Sequence, residues 1–286
     1  MEGFFFRRDV DTLKSVLGFA RHFADLFTAN RLPVAAAALS YNLTMTFFPL
    51  LIVLYSMLGN SYGKALRVLA FAENLMAADT IAAIRDFLSY VATHRSAAML
   101  TAGITVLVTS ASAAVRTLQS TIGAMQGGTR FREIWGVLFS VVFSLVLVAG
   151  LYVTILIMLA GRGLISQLNS VIPIIDISGS WEYMRFLLLG GIQLLLLWGI
   201  YLISRREGER YRTYPGAILA SLAMLGVSFA FSAFIGASVR YPLVYGSLAS
   251  LILLMYWLYS CSLVIFCGAA LNIAIRDWKQ ESENIT

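Results

Sequence analysis

Charge is scarce in this chain. Asp, Glu, Lys and Arg together make up 13% of its 286 residues, about half the ~25% share of a water-soluble domain. Histidine is scarcer still, with two residues in all, His22 and His94. A metal-dependent or acid–base nuclease needs clustered carboxylates or histidines around a phosphate, and neither cluster is present. No nucleophile elbow or paired base points to a serine or cysteine hydrolase either. The two cysteines, Cys261 and Cys267, lie six apart in an apolar stretch and so on different sides of a helix. That spacing supports neither a disulfide framework nor a metal site. We expect no enzymatic activity, no cofactor and no bound metal. We expect no cleavable signal peptide, and a convincing internal repeat is absent, which argues against the duplicated architecture of many secondary transporters.

What is abundant is apolar surface: 59% of residues are hydrophobic and mean hydropathy is +0.80. Lipid must be the solvent for most of such a chain. Long apolar stretches run from Val34 to Leu58, Ala97 to Val115, Ile134 to Ala160, Phe186 to Ser204, Tyr214 to Val239 and Leu243 to Ile275. Each can cross roughly 30 Å of hydrocarbon as a helix, and none carries Asp or Glu. Their continuity, without alternation of apolar and polar residues, excludes barrel strands. The expected fold is all-α, a polytopic bundle of about six transmembrane helices. The expected organisation is an amphipathic N-terminal segment over 1–33, a membrane domain over 34–275 with a helical outer loop at 59–96, and a polar tail over 276–286.

Net charge is +6, and its distribution sets an orientation. Fourteen of the 21 Lys and Arg residues fall in the N-terminal segment, after the second span, between Arg205 and Arg212, and in the tail. The remainder, among them Lys64, Arg85, Arg162 and Arg240, lie on the other side. The positive-inside rule then places both termini in the cytoplasm. No basic cluster interleaves with aromatics as a nucleic-acid platform requires, so the expected partners are membrane lipids, anionic headgroups included. A homo-oligomer stays open as an alternative. Two segments outside the spans are amphipathic: Val10, Leu13, Leu17, Ala20, Ala24 and Phe27 form one stripe, and Ile81, Ile84, Leu88 and Val91 form another behind Asp79 as a cap. We expect a cytoplasmic collar and an outer lid.

Polar residues inside spans are costly unless they face protein, water or a ligand. Thr101, Thr105, Thr109, Ser112, Arg116 and Gln119 follow at steps of three and four, which sets them along one helical face ending at a guanidinium. Such a stripe can be a path for an anion or a phosphate headgroup. It can equally be a packing face of small hydroxyl residues. In the first span, Asn42 and Thr46 precede Pro49, which removes an amide donor and is expected to kink the helix. Ala217, Ser221, Ser228, Ser232 and Gly236 suit close packing in the fifth span, as do Gly246, Ser250, Gly268 and Asn272 in the last.

The run Val244-Tyr245-Gly246-Ser247-Leu248-Ala249-Ser250-Leu251, continuing through Met255-Tyr256-Trp257 to Gly268-Ala269-Ala270-Leu271-Asn272, resembles the C-terminal hallmark of the YihY/BrkB family of bacterial inner-membrane proteins. Ala37-Ala38-Leu39-Ser40-Tyr41 with Phe47-Phe48-Pro49-Leu50-Leu51 resembles its first span, and Tyr214-Pro215-Gly216-Ala217 the start of its fifth. Arg116 to Gly123 falls where the family has a basic end to its second span. The resemblance implies six spans, cytoplasmic termini, a multi-pass inner-membrane location and a transporter-like role, with links to virulence and an older ribonuclease BN label. The chain departs at Ala270, where the family usually has glutamate, so no role for that carboxylate carries over. Two functions remain: translocation of a small anionic solute or lipid, or a non-transporting scaffold for envelope assembly.

Overall fold

A computed structural model describes residues 17–57, 66, 69–70, 78–93, 96–128, 142, 149–150, 181–205, 211–237 and 248–285. Its elements are all helical: α1 (17–29), α2 (Leu32–Met57), α3 (Ala78–Thr93), α4 (Ala97–Met125), α5 (Trp181–Ile203), α6 (Tyr214–Ala237) and α7 (Leu248–Ile285). Four of them contain segments long and apolar enough to cross a membrane: Leu32–Val53, Ala97–Met125, Tyr214–Phe234 and Leu251–Gln280. The apolar part of α5 over Gly190–Ile203 is shorter. The stretch from Ile134 to Ala160 lies almost wholly outside the described residues, as does Gly246.

Local chemistry sets the helix ends. Ser96 caps α4, its hydroxyl accepting from the Met99 amide at 3.0 Å. At the other end Gly127 has a φ of +77°, Gly128 N–H donates to the Gly123 carbonyl at 2.9 Å and Gly127 N–H to that of Ala124 at 3.1 Å. This is a Schellman stop, and it needs the left-handed residue that glycine supplies at no steric cost. Between α1 and α2 the same turn of hand falls on Arg31, with a φ of 48°. The Asn30 side chain helps hold that corner by donating to the Leu26 carbonyl at 2.9 Å.

α7 is the hub, packing on α2, α6, α4 and α3, while α2 pairs most extensively with α4. The α2–α4 contacts Asn42 with Thr117, Thr46 with Ser110 and Ile52 with Gly103 run in opposite directions along the two chains, so the helices are antiparallel. By the same reasoning α6 and α7 are antiparallel, through Gly216 with Asn272 and Ser228 with Trp257. The main core gathers Leu32, Ala36, Leu39, Ile122, Tyr201, Ala217, Phe266, Ala270 and Ile273 from five helices. Ala270, fully buried there, leaves no room for a longer side chain without repacking. A second core under α3 contains Tyr55, Leu69, Ile81, Ile84, Leu88 and Val91. The expected outer amphipathic helix therefore docks by the apolar face read from sequence.

At the C-terminus the polar segment after Ile275 continues the last helix, which runs to Ile285. Neither Gly nor Pro follows Gly268, so nothing stops the helix. Its last described turns also have a partner: Phe19 of α1 meets Trp278 edge-on at 6.4 Å, and His22 Nε2 lies 2.9 Å from Asp277 Oδ2. Around Pro49, α2 runs on as one helix.

Candidate functional site

The α4 stripe divides between two environments. Thr101, Thr105, Thr109 and Arg116 are exposed, Gln119 is half-buried, and Ser112 is buried. The buried sector of α4 widens toward its C-terminal half, where it takes in Ser112 and Gly123, so residues on one face meet different surroundings at different depths. The threonine hydroxyls donate back to their own helix: Thr101 to Ala97, Thr105 to Thr101 and Thr109 to Thr105, at 2.9–3.0 Å. That arrangement satisfies the O–H donor inside the bilayer and leaves the oxygen lone pairs facing outward. Among the described residues Arg116 makes no hydrogen bond or ion pair. The stripe is thus a row of acceptors ending at a set of guanidinium donors.

Helix packing uses a different face of α4. Asn42, half-buried on α2, donates through Nδ2 to Thr117 Oγ1 at 3.1 Å. The Thr46 and Ser110 hydroxyls lie 3.0 Å apart, and each also reaches a carbonyl of its own helix, Asn42 and Val106 respectively. Each hydroxyl has one proton, so it serves one of these acceptors at a time. Ser110 and Thr117 stand seven residues apart, two helical turns, and complete a polar seam that Asn42 and Thr46 begin. Their spacing was visible in the sequence, and their pairing with α2 was not.

A second polar junction joins α5, α6 and α7. Asn272, 2% exposed, accepts from the Gly216 amide at 2.7 Å and donates to the Thr213 carbonyl at 2.9 Å. It thereby caps the N-terminus of α6 from another helix, satisfying an amide that has no partner within α6. A Cβ on Gly216 would collide with the Gly268 carbonyl, and a Cβ on Gly268 would meet the Tyr201 hydroxyl and the Gly216 carbonyl. Tyr201, 2% exposed, donates to the Ile265 carbonyl at 2.7 Å. This junction belongs to the architecture. Ser250 lies in the first turn of α7.

At the opposite end from Asn272, the last turn of α2 and the α3–α4 corner enclose an open-sided cleft of about 280 Å³. Ile52, Tyr55, Ser56, Val91, Ser96 and Met99 are among the residues that line it. None of Asn42, Thr105, Ser112 or Arg116 does. Among the described residues, no three His, Cys, Asp or Glu side chains converge as metal ligands would, and both cysteines are free thiols.

Membrane-length apolar helices, polar seams closed between them and an apolar exterior define an α-helical membrane protein. Within that class the chain belongs to the virulence factor BrkB family, whose sequence profile matches residues 23–285. It is 22% identical over 267 residues to the ribonuclease-like protein YfkH of Bacillus subtilis strain 168, covering 92% of this chain and 97% of that one. It is also 24% identical over 281 residues to a UPF0761 membrane protein of Vibrio atlanticus strain LGP32, covering 93% and 85%. A UPF0761 membrane protein of Rhodospirillum centenum is 25% identical over 285 residues, and there the match spans 96% of this chain and 61% of the relative. No solved structure matches the chain.

Proposed function

We propose that this protein translocates a lipid or a small anionic solute across a bacterial-type inner membrane, without enzymatic chemistry. In this reading the bundle has six spans, the stretch from Ile134 to Ala160 among them, and both termini are cytoplasmic. The observation that carries it is the exposure of Thr101, Thr105, Thr109 and Arg116 beside a seam that packs through Ser110 and Thr117 instead. A stripe used for helix packing would be covered. This one offers hydroxyl acceptors to the ammonium or hydroxyl donors of a headgroup and a guanidinium fork to its phosphate. Acyl chains can stay in lipid while the headgroup follows the stripe. The absence of Asp and Glu from the apolar stretches favours passive movement over a carboxylate-coupled cycle.

The competing scaffold reading draws on the tight α5–α6–α7 junction, which is static, but it leaves the α4 stripe unused. The test is reconstitution of the purified protein in liposomes, with lipid movement and anion flux measured in parallel. Wild type is expected to exceed protein-free vesicles in one assay, and Arg116→Ala to lose roughly tenfold or more of that rate if a charge-assisted contact is removed. Wild type matching protein-free vesicles in both assays overturns the reading.

A further inference from the structure

Arg116 sits where a charge is hardest to keep, and two separate rulers give its depth. Its neighbour Thr117 accepts from Asn42 at 3.1 Å, and Asn42 is the eleventh of the 22 residues in the membrane-length segment Leu32–Val53 of α2. That contact therefore marks the middle of the span. Along α4 itself, Arg116 lies ten residues before Gln126, which is about 15 Å at the helical rise. Gln126 donates to the Ser204 carbonyl, next to Arg205. Arg205 and Arg276 both approach the Tyr211 ring there, and such a meeting of basic and aromatic groups marks the headgroup level. In a hydrocarbon layer of roughly 30 Å, the Arg116 backbone is then near the midplane.

Snorkelling does not relieve this. In an α-helix the Cα–Cβ bond tilts toward the N-terminus, and the N-terminus of α4 is the end remote from Gln126. The Arg116 side chain thus leaves the backbone away from the basic end, and the opposite interface is as distant. A guanidinium keeps its charge inside a protein. Arg116 is exposed, and lipid tails offer such a group nothing; ionisable residues at this depth face the bundle interior or a water-filled cavity.

Polar groups continue from Arg116 in both directions. Thr105 and Thr109 are exposed on one side of it and Ser120 on the other, at spacings that keep all four on one face. Thr105, Thr109 and Ser120 donate to the Thr101, Thr105 and Thr117 carbonyls of their own helix, which leaves their lone pairs to accept from water. Ser112, on the same face one turn from Arg116, is 2% exposed, so the space beside the stripe narrows next to the charge.

We infer that the exposed face of α4 lines a water-filled passage into the bilayer, with Arg116 at its midpoint as the group that selects anions. Its occupant is an oxyanion matched to the guanidinium fork, either free in water or as the phosphate of a lipid headgroup. This deepens the proposed function and rests on that reading for transport. The hydration of the stripe and its charge preference rest on the depth of Arg116.

The test is thiol labelling of the full chain in phosphatidylcholine vesicles by two water-soluble thiosulfonates of opposite charge, with the unsubstituted chain giving the background from Cys261 and Cys267. Thr109→Cys is expected to react. Leu225→Cys, at a position 54% exposed in the middle of the α6 segment Tyr214–Phe234, is expected to stay at background. Relative to their rates with a free thiol in solution, the anionic reagent should outpace the cationic one at Thr109→Cys by roughly tenfold. Arg116→Gln removes that preference and Arg116→Lys keeps it. Inorganic phosphate slows the labelling when the occupant is a free anion, and phosphatidylglycerol mixed into the vesicles slows it when the occupant is a headgroup, each effect being lost in Arg116→Gln. Slowing by neither overturns the anion site. Thr109→Cys as unreactive as Leu225→Cys, or a reagent preference unchanged in Arg116→Gln, overturns the inference. The expected labelling combined with no movement of lipid or anion in the liposome assay retains the passage and sinks the transport reading, whereas transport with an unreactive Thr109→Cys does the reverse.

Discussion

At Gly268 three helices meet at one backbone position. The Tyr201 hydroxyl would stand 2.5 Å from an added Cβ, and the Ala220 methyl and Gly216 carbonyl 2.9 Å. Backbone cannot yield as a flexible side chain can, so Gly268→Ala must separate α6 from α7. A cost of about 1–3 kcal/mol follows from overpacking. Part of that cost belongs to the Tyr201 oxygen, which gives a sharper expectation. Tyr201→Phe alone destabilises, because the Ile265 carbonyl loses its donor. Combined with Gly268→Ala it should cost less than the sum of the two, with a coupling of about 0.5–3 kcal/mol. Thermal unfolding of the four proteins in detergent measures the cycle, and strict additivity would show that the contact is not strained. The sequence marked Gly268 and Asn272 as packing residues from their spacing. Tyr201 and Thr213 carried no signal, because one is an aromatic within an apolar run and the other precedes a helix that its carbonyl and a remote Asn272 help to start.

Among the elements, α1 shows how much of the fold local pattern can convey. Its periodicity announced a helix, but of the stripe read from sequence Leu17, Ala20 and Ala24 are exposed and Phe27 alone packs on the main core, joined there by Phe23 and Leu26 from the neighbouring face. What it docks against could not be read, since His22 and Asp277 are 255 residues apart in sequence and no local rule connects them. α3 was more legible, because its apolar face and its length lie within sixteen residues, although the helix already runs from Ala78, so Asp79 stands inside it and is not its cap. The α1 contact has a measurable consequence. Asp277 is shared between His22 at 2.9 Å and Arg276 Nε at 2.7 Å, and the edge contact of Phe19 with Trp278 lies one residue further on. Asp277→Ala leaves the apolar face of α1 in place, so the helix should loosen without detaching. Hydrogen exchange is expected to quicken across 17–29 while α2 keeps its protection. An unchanged rate in α1 would mean that the apolar contacts alone hold it.

For the whole molecule, the antiparallel order of the helices gathers specific groups at one end. Gln126 Nε2 donates to the Ser204 carbonyl at 3.1 Å, Asn272 reaches Thr213, and His22 reaches Asp277. The α1–α2 corner, the end of α4, the end of α5 and the start of α6 therefore share a level, and with them Arg31, Arg205, Arg212 and Arg276. Arg205 and Arg276 both approach the Tyr211 ring, at 6.0 and 5.4 Å from its centre, and Tyr214 and Trp278 are exposed nearby. Basic residues with amphipathic aromatics are the signature of a cytoplasmic membrane interface. Among the described residues, the α3 end carries Arg85 and Asp86 on an exposed face. We propose that the basic end is the cytoplasmic one, as the count of Lys and Arg along the sequence predicts, since insertion reads the same residues. Single cysteines can test it, because Cys261 is buried and Cys267 half-buried within α7. Ser89→Cys, exposed on α3, should react with a membrane-impermeant maleimide in intact spheroplasts. Gln280→Cys, exposed on α7, should react only after the membrane is permeabilised. The reverse pattern would invert the molecule and put the α3–α4 corner on the cytoplasmic side.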